Sequence, residues 1–95
     1  MKRLLVCLLL ICGSAHAETL TLLFAGDIML DDGPGKVVAR GGDPLAPFAG
    51  ILKTADYRIG NLEVPVATSG KPNASKIVTF RAAPDSLRVL QGRFD

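Results

Sequence analysis

Two short polar motifs in this sequence carry the side chains best suited to chemistry. Asp27 follows the apolar run 19–25, and Asn61 and Glu63 follow a second run of strand character at 57–60. In open α/β sheets the carboxyl ends of the strands meet at one edge, where ligands bind. Asp27 with either Asn61 or Glu63 would then present hard oxygen donors to a divalent metal ion of unspecified identity.

The first motif also has a purely structural interpretation. Glycine-aspartate pairs such as Gly26-Asp27 commonly end strands in turns, because glycine accepts positive φ and aspartate bonds to nearby backbone. By itself this pair therefore favours a turn. A second polar motif at the end of a second strand shifts the balance towards a shared metal site.

The first 17 residues have the pattern of a secretory signal peptide. Lys2 and Arg3 form a basic start, residues 4–12 are an uninterrupted apolar run, and Ala15-His16-Ala17 fits a cleavage site. Nine apolar residues are too few to span a bilayer core, so we expect no transmembrane anchor after cleavage. The sequence thus predicts a protein that is secreted to the periplasm or the cell surface.

The predicted mature segment, residues 18–95, contains neither histidine nor cysteine. This composition excludes a serine-histidine or cysteine-histidine pair, a disulfide framework and a histidine-ligated zinc site built from these residues alone. Without Lys2 and Arg3, nine basic residues balance nine acidic ones. A neutral segment lacks the positive charge that nucleic-acid binding requires, so no nucleic acid is expected as a partner.

The pattern of residues 18–95 predicts an α/β fold. The predicted strands are 19–25, 57–60 and 77–81; the predicted helical segments are a turn at 36–40, a helix from 43 to about 55 and a helix at 84–91 ended by Gly92. Residues 31–35 and 67–76 are predicted to be loops, with Asp31 and Asp32 as solvated charges. Phe24 and Met29 are predicted core residues.

The predicted strands and helices alternate along the chain, and this alternation stops where another strand is expected. We therefore expect residues 18–95 to be the truncated N-terminal part of a longer domain.

Three runs of the sequence, taken together, resemble the CapA family of capsule-synthesis and poly-gamma-glutamate biosynthesis proteins. They are LLFAGDIML at 22–30, ADYRIGNLEVP at 55–65 and FRAAP at 80–84, and the similarity covers residues 20–95. The resemblance implies a calcineurin-like metallophosphoesterase α/β sandwich with metal sites at strand ends. It places Asp27 in the first metal-ligand motif and Asn61 to Glu63 in the second.

The sequence departs from the wider superfamily at the first motif. That superfamily has Asp-x-His there, whereas this chain has Asp27-Ile28-Met29. The family's next signature, Asn-Asn-His, would begin beyond Asp95. The resemblance therefore implies that this chain alone lacks the imidazoles of a dinuclear phosphatase site and is inactive as a hydrolase.

These observations leave three hypotheses for function. The first is a secreted CapA-like protein of capsule or poly-gamma-glutamate biosynthesis, with metal-dependent phosphoesterase-type hydrolysis in a full-length form. The second is a non-catalytic envelope module that binds an anionic polymer. The third is an inactive truncated remnant. The implied partners are an anionic polymer or components of cell-envelope assembly.

Overall fold

The computed structural model describes residues 17–95 of the chain. Its regular elements are β1 (Leu22–Ile28), α1 (Asp32–Ala39), α2 (Ala49–Leu52) and β2 (Tyr57–Leu62), with 3-10 turns at Ala46–Phe48 and Pro84–Val89. The α/β class predicted from the sequence is confirmed. The predicted signal peptide, residues 1–17, lies outside the described residues except for Ala17.

The two strands form a parallel sheet whose register changes once. Leu22 lies opposite Tyr57 and Phe24 opposite Ile59, but Asp27 rather than Gly26 lies opposite Asn61. One extra residue in β1 absorbs this shift as a β-bulge. The strands therefore differ from the prediction at their ends: β1 continues to Ile28 instead of ending at residue 25, and β2 includes Asn61.

The first helix begins earlier than the sequence predicted. Residues 31–35 are not a loop, because Asp31 caps α1: its side-chain Oδ1 accepts a hydrogen bond from the Asp32 backbone N–H at 2.7 Å. Pro34 lies in the first turn, where a helix does not need its missing N–H. Asp31 is therefore a helix cap, and describing it as a solvated loop charge was wrong.

The predicted helix over 43–55 is broken into two short pieces. A 3-10 turn at Ala46–Phe48 leads into the four-residue helix α2. Pro47 has no backbone N–H to donate, which interrupts the hydrogen-bond ladder of a continuous α-helix. Of the predicted apolar face, Leu52 is buried, whereas Phe48 and Ile51 are exposed.

The C-terminal elements also differ from their prediction. Residues 77–81 form no strand, and the described part of this region makes one isolated bridge, between Val66 and Ala82. Pro84–Val89 is a 3-10 helix that buries Ser86 and Val89 and leaves Leu87 exposed. In a 3-10 helix, residues three apart lie above one another, so the inward face falls on Ser86 and Val89.

The core lies where the end of β1, helix α1 and the last 3-10 helix meet. Its buried apolar members among residues 17–95 are Ile28, Leu30, Val38, Val64, Ala82 and Val89. Met29 packs against this cluster, as predicted, but Phe24 is 70% exposed and is not a core residue. The apolar run of β1 predicted burial on both faces, and no described element covers Phe24.

Arg88 connects the last 3-10 helix to the end of α1 by hydrogen bonds. Its Nη2 donates hydrogen bonds to the backbone oxygens of Val38 at 3.0 Å and Gly42 at 2.9 Å. Carbonyls at a helix C-terminus have no partner within the helix and carry partial negative charge, so a guanidinium satisfies both needs. This contact fixes the two elements that close over the core.

Candidate metal centre

The three predicted metal-ligand side chains lie together at the carboxyl end of the sheet. Asp27 and Asn61 are register partners on the two strands. The Asn61 Nδ2 donates hydrogen bonds to Asp27 Oδ1 at 3.0 Å and to Glu63 Oε2 at 2.6 Å. The structure therefore brings together all three residues that sequence analysis could only assign to two strand ends.

The backbone explains why these side chains meet. Side chains two residues apart on a strand project to the same side, which places Asn61 and Glu63 together. The Glu63 backbone N–H also bonds to the Ile28 oxygen at 3.0 Å, so the ladder continues past the last paired residues. Both strands remain held together where the cluster forms.

Gly26 decides which residue of β1 faces Asn61. Its φ of +71° lies in the left-handed region that glycine accepts readily. From Phe24 to Asp27 the first strand takes three residue steps, while the second takes two from Ile59 to Asn61. Because a shift of one residue reverses the side of the sheet a side chain faces, the bulge puts the Asp27 carboxylate beside the Asn61 amide.

The donor set suits a hard divalent cation. Two carboxylates and one carboxamide supply the oxygen ligands that magnesium, calcium and manganese prefer. Turning the Asn61 amide by half a rotation exchanges its nitrogen for its oxygen, which would then face both carboxylates. All three side chains are exposed, so an ion could reach them from solvent. Within residues 17–95 no group of three or more histidine, cysteine, aspartate or glutamate side chains is placed to hold a metal.

Sequence analysis did not identify the role of Arg81, which joins the segments that follow both strands. Its backbone N–H donates to Asp31 Oδ2 at 2.8 Å, and its Nη1 donates to the Gly70 oxygen at 3.1 Å. The hydrogen bond from the Arg81 backbone, followed by that from Asp32, lowers the pKa of the Asp31 carboxyl. The one signal in the sequence was the position of Arg81 within the FRAAP run.

A model of a known protein family matches most of this chain. The family model described as bacterial capsule synthesis protein PGA_cap matches residues 21–94, a range that includes both strands and the three clustered side chains. A search of curated proteins found no significant match, and neither did a search of solved structures. In the described range, 17–95, no helix has the length and apolar character needed to cross a membrane. The family match confirms the resemblance to CapA proteins, and the chain belongs to the bacterial capsule synthesis family PGA_cap.

Proposed function

We propose that this capsule synthesis protein acts at the cell envelope as a divalent-metal-dependent phosphoester hydrolase in its full-length form. The metal ligands would be Asp27, Asn61 and Glu63. The observation that carries the proposal is the contact of one Asn61 amide with both carboxylates, at 3.0 and 2.6 Å. The same motifs support placing the parallel strands β1 and β2 within a calcineurin-like sandwich. An anionic capsule chain such as poly-gamma-glutamate would be a bound partner and not the hydrolysed substrate, because its amide-linked backbone contains no phosphoester.

In this proposal two of the residues supply negative charge and the third orients them. Asp27 on β1 and Glu63 directly after β2 supply two negative charges, which attract a dication. Asn61 holds both carboxylates at one point, so less side-chain freedom is lost when an ion binds. A divalent cation there would supply Lewis-acid chemistry by polarising an oxygen of the substrate.

The proposed location follows from the amino terminus and the family. A capsule synthesis family is associated with the cell envelope. The basic start, apolar run and cleavage pattern of residues 1–17 support export through a signal peptide. Fractionation of cells that express the chain, with amino-terminal sequencing of the exported form, tests this part. A mature start at Glu18 is expected, and retention of Met1 in the cytoplasm would contradict it.

Metal binding is best tested on the purified chain by titration calorimetry with MnCl2 or MgCl2. Asp27→Asn and Glu63→Gln each preserve shape while removing one charge. Each is expected to weaken binding by at least about tenfold, because a hard cation loses a charged ligand. Glu18→Gln is the matched control, because it removes the same charge from an exposed residue outside the cluster. Equal affinities in all four proteins would refute the metal site.

Hydrolysis requires a separate assay on a full-length form. The expected result is cleavage of bis(4-nitrophenyl) phosphate that requires the added metal and is lost in Asp27→Asn. Unchanged cleavage in both Asp27→Asn and Glu63→Gln would remove these residues from the mechanism.

A second candidate is a non-catalytic envelope module that binds an anionic polymer. The observation favouring it is that the Asn61 amide already donates a hydrogen bond to each carboxylate. The cluster would then have a structural role, linking the ends of the two strands. This alternative predicts that Asp27→Asn leaves capsule production intact and that no cation binds. Loss of capsule together with loss of metal binding would instead favour the hydrolase.

A further inference from the structure

An apolar groove adjoins the candidate metal centre. It has a volume of about 560 Å³ and is lined mainly by residues 23–30 and 44–52. Its walls include Leu23 and Phe24 from β1 and Leu45, Phe48 and Ile51 from the second segment. Cavities of roughly 300–1,000 Å³ with mainly hydrophobic walls are typical of small-molecule sites. The groove is therefore large enough to hold a small apolar group.

Asp27 is the one residue with a polar side chain among the described residues that line this groove. The other lining residues are aliphatic, aromatic, proline or methionine, and the described lining contains no lysine, arginine or histidine. Asp27 also accepts the Asn61 hydrogen bond at 3.0 Å, so the groove and the candidate metal centre share this carboxylate. A ligand that fits both is apolar along most of its length and polar at one end.

The exposure of the groove walls favours such a ligand over a packed protein segment. Phe24, Phe48 and Ile51 are all exposed, and clustered apolar side chains on a surface mark binding sites. A protein segment laid along the groove would bury the Asp27 carboxylate where the described lining offers no basic side chain, and burying a charge without a partner is costly. A ligand with its own polar head group covers the apolar walls and leaves Asp27 at the metal centre.

We propose that this groove holds the hydrocarbon part of a phosphoester whose phosphate lies at the candidate metal centre. The inference deepens the proposed function by naming the substrate class, phosphoesters of apolar alcohols, and it rests on that function for the metal ion and the phosphate. The charges of Asp27 and Glu63 repel a phosphate unless a divalent cation is bound between them, so binding of the head group requires the ion.

The test is titration calorimetry of the purified chain with octyl phosphate and butyl phosphate, each in buffer with MgCl2 and in buffer with EDTA. In MgCl2 the octyl ester is expected to bind at least about tenfold more tightly than the butyl ester, because each added methylene group leaves water for an apolar wall. Octyl phosphate is expected to bind more weakly in EDTA. Octanol has no phosphate and reports on the groove alone, so its affinity is expected to be the same in both buffers.

Ile51→Gln places a polar side chain in the groove wall and keeps a residue that favours helix in α2. It is expected to weaken binding of octyl phosphate and octanol at least about fivefold, and to change that of butyl phosphate by less than about twofold. Ile77→Gln is the matched control, because Ile77 is also exposed but lies outside the lining of this groove. It is expected to change every affinity by less than about twofold.

Equal affinities for the octyl and butyl esters, or equal effects of the two glutamine variants, would overturn the proposal. Tighter binding of octylammonium than of octyl phosphate in MgCl2 would also overturn it, because Asp27 would then bind the head group directly.

Two further outcomes identify a protein as the occupant of the groove and overturn the proposal. One is loss of octanol binding in a full-length form, and the other is a dimer in light scattering that Ile51→Gln dissociates. Failure of the proposed function gives a different result: octyl phosphate then binds equally in MgCl2 and EDTA while octanol binding still depends on Ile51. That result would refute the metal centre and support the hydrocarbon groove.

Discussion

Asp27 lies opposite Asn61 in the parallel sheet, although an unbroken register from Phe24 and Ile59 would place it opposite Leu62. The displacement by one residue comes from the bulge at Gly26 and turns the Asp27 carboxylate to the side that the Asn61 amide occupies. The candidate metal centre therefore depends on a backbone irregularity as much as on the identity of its side chains.

Gly26→Ala is expected to lower the free energy of unfolding by about 1 kcal/mol, the cost of an L-residue at positive φ. A Cβ at Gly26 would meet no atom within 4 Å, so the cost is conformational and not steric. If the strand relaxes by removing the bulge, Asp27 moves away from Asn61 and cation affinity falls as well. Urea unfolding and calorimetric titration measure the two effects.

Gly50→Ala is the matched control for that substitution. Gly50 lies in α2, has open space around its Cα and lacks a positive φ. Alanine has a higher helix propensity than glycine, so this variant is expected to be as stable as wild type or more stable by about 0.5 kcal/mol. Equal losses at both positions would show that the bulge conformation has no special cost.

Asn61→Asp replaces the amide between two carboxylates with a third carboxylate. Without divalent ions, the lost hydrogen bonds and added repulsion are expected to lower stability by about 1 kcal/mol. With millimolar CaCl2 the variant is expected to gain more thermal stability than wild type, because its cluster has one more charged oxygen ligand. Differential scanning fluorimetry with and without the ion compares them. A calcium-induced rise in Tm no larger than that of wild type would argue against cation binding here.

Gly60→Ala tests the close packing behind the cluster. An added Cβ would lie 2.5 Å from Ile28 Cδ1 and 3.2 Å from its Cγ1. The Cδ1 methyl ends a flexible side chain and can move, but Cγ1 must shift as well, so the expected cost in urea unfolding is about 1 kcal/mol. Ile28→Val removes the clashing methyl group, so the double variant is expected to be more stable than the sum of the two single losses. Strict additivity would mean that the two residues do not press on each other.

Acid should weaken the fold through the ion pair between Asp43 and Arg93. The side-chain hydrogen bond from Arg93 lowers the pKa of Asp43 below its usual 3.8. A carboxyl with a lowered pKa in the folded state contributes its stability fully above the unfolded pKa and loses it as the pH falls through the folded value. The free energy of unfolding should therefore decrease as the pH falls below about 4.

Asp43→Asn and Arg93→Gln each remove this pair and serve as mutual checks. Each is expected to be less stable than wild type at pH 7 and to show a shallower loss of stability in acid, because the carboxyl no longer gains a partner on folding. Urea unfolding at a series of pH values measures the slope. A slope identical to wild type in both variants would contradict the assignment.

Several elements could be predicted from the sequence because their signals are local. The strand Tyr57–Leu62 contains the predicted run 57–60, and Gly92 adopts the positive φ expected of a residue that ends a helical segment. The turn predicted at 36–40 overlaps the second half of the helix Asp32–Ala39. The first half was missed because its glycines and proline are typical of loops. The helix predicted over 43–55 was too long because apolar spacing outweighed Pro47.

The candidate site was predictable in composition but not in geometry. Asp27, Asn61 and Glu63 could be assigned to two strand ends, since polar residues after apolar runs are visible in one sequence. The hydrogen bond from the Arg81 side chain to the Gly70 oxygen was not predicted, because it joins two residues that are 11 positions apart in the sequence.

The sequence by itself determined the α/β class, the two strands, the family motifs and the presence of oxygen-bearing side chains at two strand ends, because each depends on residue type and short-range order. Only the tertiary structure decided that Asp27 faces Asn61, that Phe24 is exposed and that Arg81 reaches Gly70. These outcomes depend on strand register, on which faces another element covers and on contacts between distant residues, all of which are fixed by packing of the whole chain.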